Sequence, residues 1–106
     1  MHFVVIGRDE PSGQARKQMR ADHLAFVQDR QTDIVYAGPL IEDGRMVGSL
    51  FVFDLPDRSA LDAYMAEDPY FRGQVFERIE IFESRWMVPE RVPGTIAAEI
   101  EKALRG

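Results

Sequence analysis

The stretch SLFVFDL, Ser49–Leu55, decides the fold. Leu50 and Val52 alternate with Phe51 and Phe53, so a strand here is apolar on both faces and must be covered on both. The flanks set its partners. Upstream, IEDGRMVG carries Asp43-Gly44 between two apolar runs, the strongest short hairpin signal. The preceding run, DIVYAGPL, is the hairpin's first strand, expected to end near Gly38-Pro39 because proline cannot donate to a central ladder. Downstream, PDRSALDAYMAEDP predicts a helix capped by Asp57 or Ser59, with Leu61, Tyr64 and Met65 as its apolar stripe. Asp68 precedes Pro69, and a residue before proline is pushed out of helical geometry, so this helix should stop there.

The rest of the chain completes the pattern. HFVVIG near the start is a strand, and RDEPSG is turn chemistry before a helix over about residues 12–30. VFERIEIF alternates, placing Val75, Glu77, Ile79 and Ile81 on one face and Phe76, Arg78, Glu80 and Phe82 on the other. WMVPERVPG is a linker, and TIAAEIEKALRG is a last helix with Ile96, Ile100 and Leu104 at four-residue spacing. The order β-α-β-β-α-β predicts an α+β, ferredoxin-like fold, with a four-stranded antiparallel sheet and two helices on one face. The other sheet face needs a cover, since an apolar face of that size seldom stays in water. Either the extra C-terminal helix supplies it or a second copy does. A symmetric homodimer through the sheet face is the favoured expectation, with residues 1–88 as the domain and 89–106 as linker and helix packed on the sheet or the partner.

Composition narrows the function classes. The 106 residues carry 13 Lys and Arg against 18 Asp and Glu, a formal net charge of −5. That argues against a sequence-independent nucleic-acid binder, which needs a basic stripe. No cysteine is present, which removes disulfides, thiolate catalysis and cysteine-ligated metals. No stretch approaches membrane-spanning length, and Phe3–Ile6 is too short for a signal peptide. The expectation is a cytoplasmic, single-domain protein with no membrane partner.

The chemistry concentrates in MRADHLAFVQD, Met19–Asp29. On a helical wheel, Met19, Phe26 and Val27 lie within roughly 60° of His23, on the face that points into a core, and Arg16, Arg20 and Arg30 share the arc. A core-facing imidazole costs desolvation unless its nitrogens find partners. It is either a histidine satisfied by a backbone carbonyl or one whose tautomer a carboxylate fixes, leaving the other nitrogen to exchange a proton. Asp68 is a candidate for that carboxylate, although on the residues alone helix-ending turn chemistry is the favoured explanation. Arg20, one turn from His23, can hold a substrate carboxylate in bidentate fashion. Arg16 and Arg30 are expected to snorkel to solvent. Tyr70 either plugs the core or points its hydroxyl into a pocket. Gly38 and Pro39 end a strand and shape the pocket wall, and Ser49 is structural or donates to a ligand. No Gly-x-Ser-x-Gly elbow surrounds any serine, and nothing in the spacing of His2 and His23 supports a metal site.

Taken together, Arg20, His23 and Leu24, then Gly38, Pro39 and Leu40, Gly48 and Ser49, and Asp68, Pro69 and Tyr70 give the sequence its family likeness. In that order and spacing it resembles the YCII-like (YciI) proteins, over residues 2 to 82. The resemblance does not reach the C-terminal segment. It implies a dimeric α+β barrel with a pocket between helix and sheet, and His23 and Asp68 as an acid/base pair. It also implies cofactor-free elimination or isomerisation on a small anionic organic acid. The competing expectation is a non-catalytic module that binds a small molecule in the same pocket.

Overall fold

The computed structural model describes all 106 residues. The chain forms β1 (His2–Asp9), α1 (Gln14–Gln28), a single 3-10 turn (Gln31–Asp33), β2 (Ile34–Glu42) and β3 (Arg45–Asp54). There follow α2 (Arg58–Glu67), α3 (Pro69–Arg72), β4 (Phe76–Ser84) and α4 (Thr95–Leu104). The strands make one antiparallel sheet in the order β2-β3-β1-β4. This is the ferredoxin-like α+β fold expected from the element order. No helix is long and apolar enough to cross a membrane.

Register sorts the side chains. Phe3 and Val5 of β1 pair with Phe53 and Phe51 of β3, and all four are buried beneath the helices with Leu61 and Tyr64 of α2. Phe26 of α1 meets Tyr64 edge-on at 5.3 Å, and Tyr64 meets Phe53 at 4.6 Å, which fixes both long helices on this face. The opposite face carries Val4, Ile6, Leu50 and Val52, only partly buried, and leaves Tyr36 and Phe82 exposed.

Three local departures from the sequence reading have clear causes. First, β2 runs through Gly38-Pro39 to Glu42 instead of ending there. It lies at the sheet edge, and a proline is tolerated where one side of the strand has no ladder to donate to. The turn that follows is as read: Asp43 and Gly44 both have positive φ, 50° and 76°, and they let β3 begin at Arg45. Second, α1 begins at Gln14, not Ser12. The Glu10 carboxylate accepts from the Ser12 and Ala15 backbone N–H groups, and Gly13 sits at φ 70°, so the turn is spent before the helix starts. Third, strict alternation fails at the start of β4. The register with β1 shifts between Arg8 and Asp9, a bulge that places Phe76 opposite Asp9 and turns it into the core.

Phe76 packs over Gly7, where an added Cβ would stand 2.6 Å from its ring. It also meets Tyr70 edge-on at 5.9 Å and Phe71 at 5.3 Å. The missing side chain at Gly7 therefore seats the ring that supports α3. α2 is capped as read, the Asp57 side chain accepting from the Ala60 N–H at 2.9 Å. α4 behaves differently from the rest: none of its residues is buried, and Ile100 and Leu104 stand in solvent.

Replacing Gly7 by alanine should force Phe76 from its seat. We expect a loss of about 1–3 kcal/mol, the usual cost of overpacking a core, read as a lower urea midpoint with an unchanged slope.

Candidate functional site

α1, α3 and the edge of the sheet enclose a cavity of about 630 Å³ lined by Arg16, Arg20, His23, Gly38, Pro39, Ser49, Tyr70 and apolar neighbours. The position of His23 follows from the 3.6-residue repeat. It lies seven residues after Arg16 and three after Arg20, so one face of α1 delivers all three to this wall.

Asp68 stands behind the imidazole, outside the cavity lining. It is the C-cap of α2 and the N-cap of α3 at once, held at φ −69°, ψ 123° by the following proline. Its side chain is fully buried. Oδ1 lies 2.7 Å from His23 Nδ1 and accepts from the Tyr70 backbone N–H at 2.9 Å; Oδ2 accepts from the Tyr64 hydroxyl at 3.0 Å. A carboxylate can only accept. Nδ1 therefore carries the proton and donates it to Asp68, and Nε2 is the ring's remaining site. Burial, and then the Asp68 charge that the phenol faces, raise the Tyr64 pKa well above the ordinary tyrosine range, so its hydroxyl remains a donor. The Tyr70 ring lies flat against the imidazole, centroids 3.6 Å apart and planes 3° from parallel, and Phe51 closes the edge at 6.1 Å.

Arg16 corrects the sequence reading. It does not reach solvent; it is 5% exposed and forms a two-pronged ion pair with Asp9, Nε to Oδ2 at 2.6 Å and Nη2 to Oδ1 at 2.9 Å. Burial opposes its charge, but the hydrogen bonds and field of Asp9 outweigh that and hold its pKa above the usual arginine value. Nη2 also donates to Ser49 Oγ at 2.7 Å and Nη1 to the Tyr70 hydroxyl at 3.3 Å. Arg20 Nη1 donates to the same hydroxyl at 3.2 Å. The Tyr70 oxygen thus accepts from two guanidiniums. Arg30 lies over the Phe26 ring, and pairs with Glu67 at the surface.

Sequence reasoning missed Asp9, Arg16 and Tyr64. Arg16 was visible on the wheel at roughly 20° from His23, and only its partner was not. Gly38 and Pro39 line the cavity as strand interior, not as a strand end. His2 lies apart from the site, its ring tilted against Trp86 at 5.6 Å and near Arg91 and Asp54.

A family model of the YCII-related domain matches residues 1–85. The chain belongs to the YCII-related family. The curated proteins yield no match. Among solved structures, it is similar to 5-chloro-2-hydroxyhydroquinone dehydrochlorinase from Burkholderia phenoliruptrix, in complex with 2,5-dihydroxybenzoquinone. That likeness has a TM-score of 0.72 at 24% identity and covers 82% of this chain and 94% of the other. It is also similar to SnoaB, a cofactor-independent oxygenase from Streptomyces nogalater, with a TM-score of 0.49 at 19% identity, over 84% and 96% of the two chains. The fold of this YCII-related chain is that of the dimeric α+β barrel proteins.

The raised Tyr64 pKa has a stability consequence. Below the unfolded tyrosine pKa, about 10, the phenol is neutral in both states and its bond to Asp68 is fully present. Above it, the unfolded chain ionises first, so this stabilisation is lost as pH rises toward the folded value. Melting temperature should fall more steeply above about pH 10 in the wild type than in Tyr64→Phe. Parallel alkaline slopes in the two proteins would show that Tyr64 is not the linked group.

Proposed function

We propose that this protein is a cofactor-free lyase or isomerase that moves a proton on a small anionic organic acid. One observation carries the reading: a buried carboxylate accepts a hydrogen bond from Nδ1–H of His23, which leaves Nε2 as the basic atom of a residue that lines a cavity. The same arrangement orients the histidine of many acid–base enzymes.

In this reading Nε2 takes a proton from a carbon next to the substrate's carboxyl or carbonyl group. The C–H electron pair then becomes a double bond. In an elimination it expels a leaving group such as chloride; in an isomerisation the proton returns to another carbon. Asp68 holds the tautomer and balances the imidazolium that forms. Arg20 binds the anionic end, and Arg16, fixed by Asp9, adds a positive field where enolate charge develops. Tyr70 accepts from both guanidiniums, so its own proton is available to a substrate oxygen, while Ser49, Gly38 and Pro39 shape the wall. The dehydrochlorinase activity of the similar Burkholderia enzyme supports the elimination form.

Turnover of a panel of small halogenated and unsaturated acids tests this. His23→Ala should lower the rate by about 10²–10⁴-fold, and ligand affinity should change far less. In ¹⁵N-resolved spectra the wild type should show a slowly exchanging, downfield Nδ1–H proton that vanishes in Asp68→Ala. A ligand that binds equally to wild type and His23→Ala, with no turnover in either, would replace the enzyme by a binding module.

Self-association belongs to the same reading. Val4, Ile6, Leu50 and Val52, flanked by exposed Tyr36 and Phe82, form the sheet face that a second copy would cover. Residues 89–106, with the apolar stripe of α4 unpartnered in the single chain, would extend that contact onto the partner. Light scattering should give a dimer for the wild type and a monomer for Phe82→Glu. A dimer of unchanged stability after removal of residues beyond Val92 would take α4 out of the interface.

A further inference from the structure

A second cavity, also about 630 Å³, opens on the other side of the Arg16 and Arg20 side chains, between the start of α1 and the β2–β3 hairpin. Both arginines line both cavities, so the two spaces share a wall. Arg45, Met46 and Val47 reach it from the start of β3, where the register with β2 shifts between Leu40 and Ile41, and Lys17 comes from the first turn of α1.

The charges here do not match the rest of the molecule. Of the 13 lysines and arginines, five are in ion pairs: Arg16, Arg30, Arg58, Arg78 and Lys102. Eight have no carboxylate partner, and four of these eight, Arg8, Lys17, Arg20 and Arg45, line this one cavity. The chain as a whole is at −5. Three carboxylates also line it: Asp9 is held by Arg16, while Glu10, which accepts from Ser12 and the Ala15 N–H, and Glu77 keep their charge. The lining therefore carries five cations against three carboxylates, a local excess of positive charge on a chain whose total is −5. Like charges gathered in a concave surface repel one another and focus a positive potential, a cost offset when an anion sits among them.

We propose that this cavity is a second oxyanion site. It takes a multiply charged group of the phosphate type, borne at one end of the ligand whose reacting end lies beside His23. Arg20 stands at the junction and contacts both ends. Arg45 and Lys17 select the distal group, Arg45 by paired N–H donors and Lys17 as a point charge. The bifunctional ligand rests on the acid–base reading; the oxyanion site does not, and it is tested by binding alone.

The probe is inorganic phosphate, titrated into the ¹⁵N-labelled full chain at constant ionic strength and followed by amide shifts. Saturable shifts should centre on Lys17 and on Arg45 to Val47, with a dissociation constant in the millimolar range, about 1–10 mM. Lys17 and Arg45 are exposed, so Lys17→Gln and Arg45→Gln should fold normally and bind about tenfold more weakly, a factor that is about 1.4 kcal/mol. Arg85→Gln removes a free cation outside the cavity and should leave the affinity unchanged. The site is overturned if no saturation appears, or if Arg85→Gln weakens binding as much as Arg45→Gln. It is equally overturned if the shifts centre on His23 and Tyr70, with the hairpin silent. Those results would leave the acid–base reading standing, since that reading falls on the turnover and Nδ1–H measurements instead.

Discussion

The carboxylate of Asp68 is where the packing of this molecule and the chemistry of its cavity are joined. It is fully buried, and it accepts from an α1 imidazole, an α2 phenol and an α3 backbone N–H. A buried charge is tolerated only when its lone pairs are met, and each donor here comes from a different helix. The proline that follows makes this possible by breaking the helical path between α2 and α3. Asp68 thereby caps the end of one helix and the start of the next. No buried side-chain nitrogen or oxygen lacks a partner. The interior polar network closes on the chain's own atoms, with Nε2 of His23 outside it.

Around that centre, two ion-paired layers are built on different logic. Asp68 orients a group whose charge can change; Asp9 fixes one whose charge does not. Arg16 is always protonated, so its pair with Asp9 is a permanent dipole, tied to Ser49 on the sheet and Tyr70 on α3. Removing one member of such a buried pair typically costs about 3–5 kcal/mol because the other is left unmet. Tyr70 links the layers, with its ring on the imidazole and its oxygen beneath both guanidiniums.

Much of this was legible in the sequence, for identifiable reasons. Ser49–Leu55 announced a central strand because both of its faces are apolar, and Asp43-Gly44 announced the hairpin because few residues accept two successive positive φ angles. His23 and Asp68 stood out because an imidazole on an apolar stripe and an Asp-Pro step are both local signals. Arg16 was misread because its role depends on Asp9. That aspartate points inward at a bulge, and a bulge is a tertiary event that periodicity cannot carry. Pro39 was misread because whether a strand tolerates proline depends on its place in the sheet, and the sequence does not write strand order in one place.

Pro39 has one more effect. The β2 edge lacks an N–H at that position, and the β4 edge carries Glu77, Glu80 and Glu83. Interrupted hydrogen bonding at one margin and a row of charged side chains at the other, the Arg78–Glu80 ion pair among them, discourage strand-by-strand addition of further copies. The molecule is protected from growing sideways into a fibril, although its sheet is short, open and apolar on both sides. Contact between copies is thereby steered to the sheet face and away from its edges.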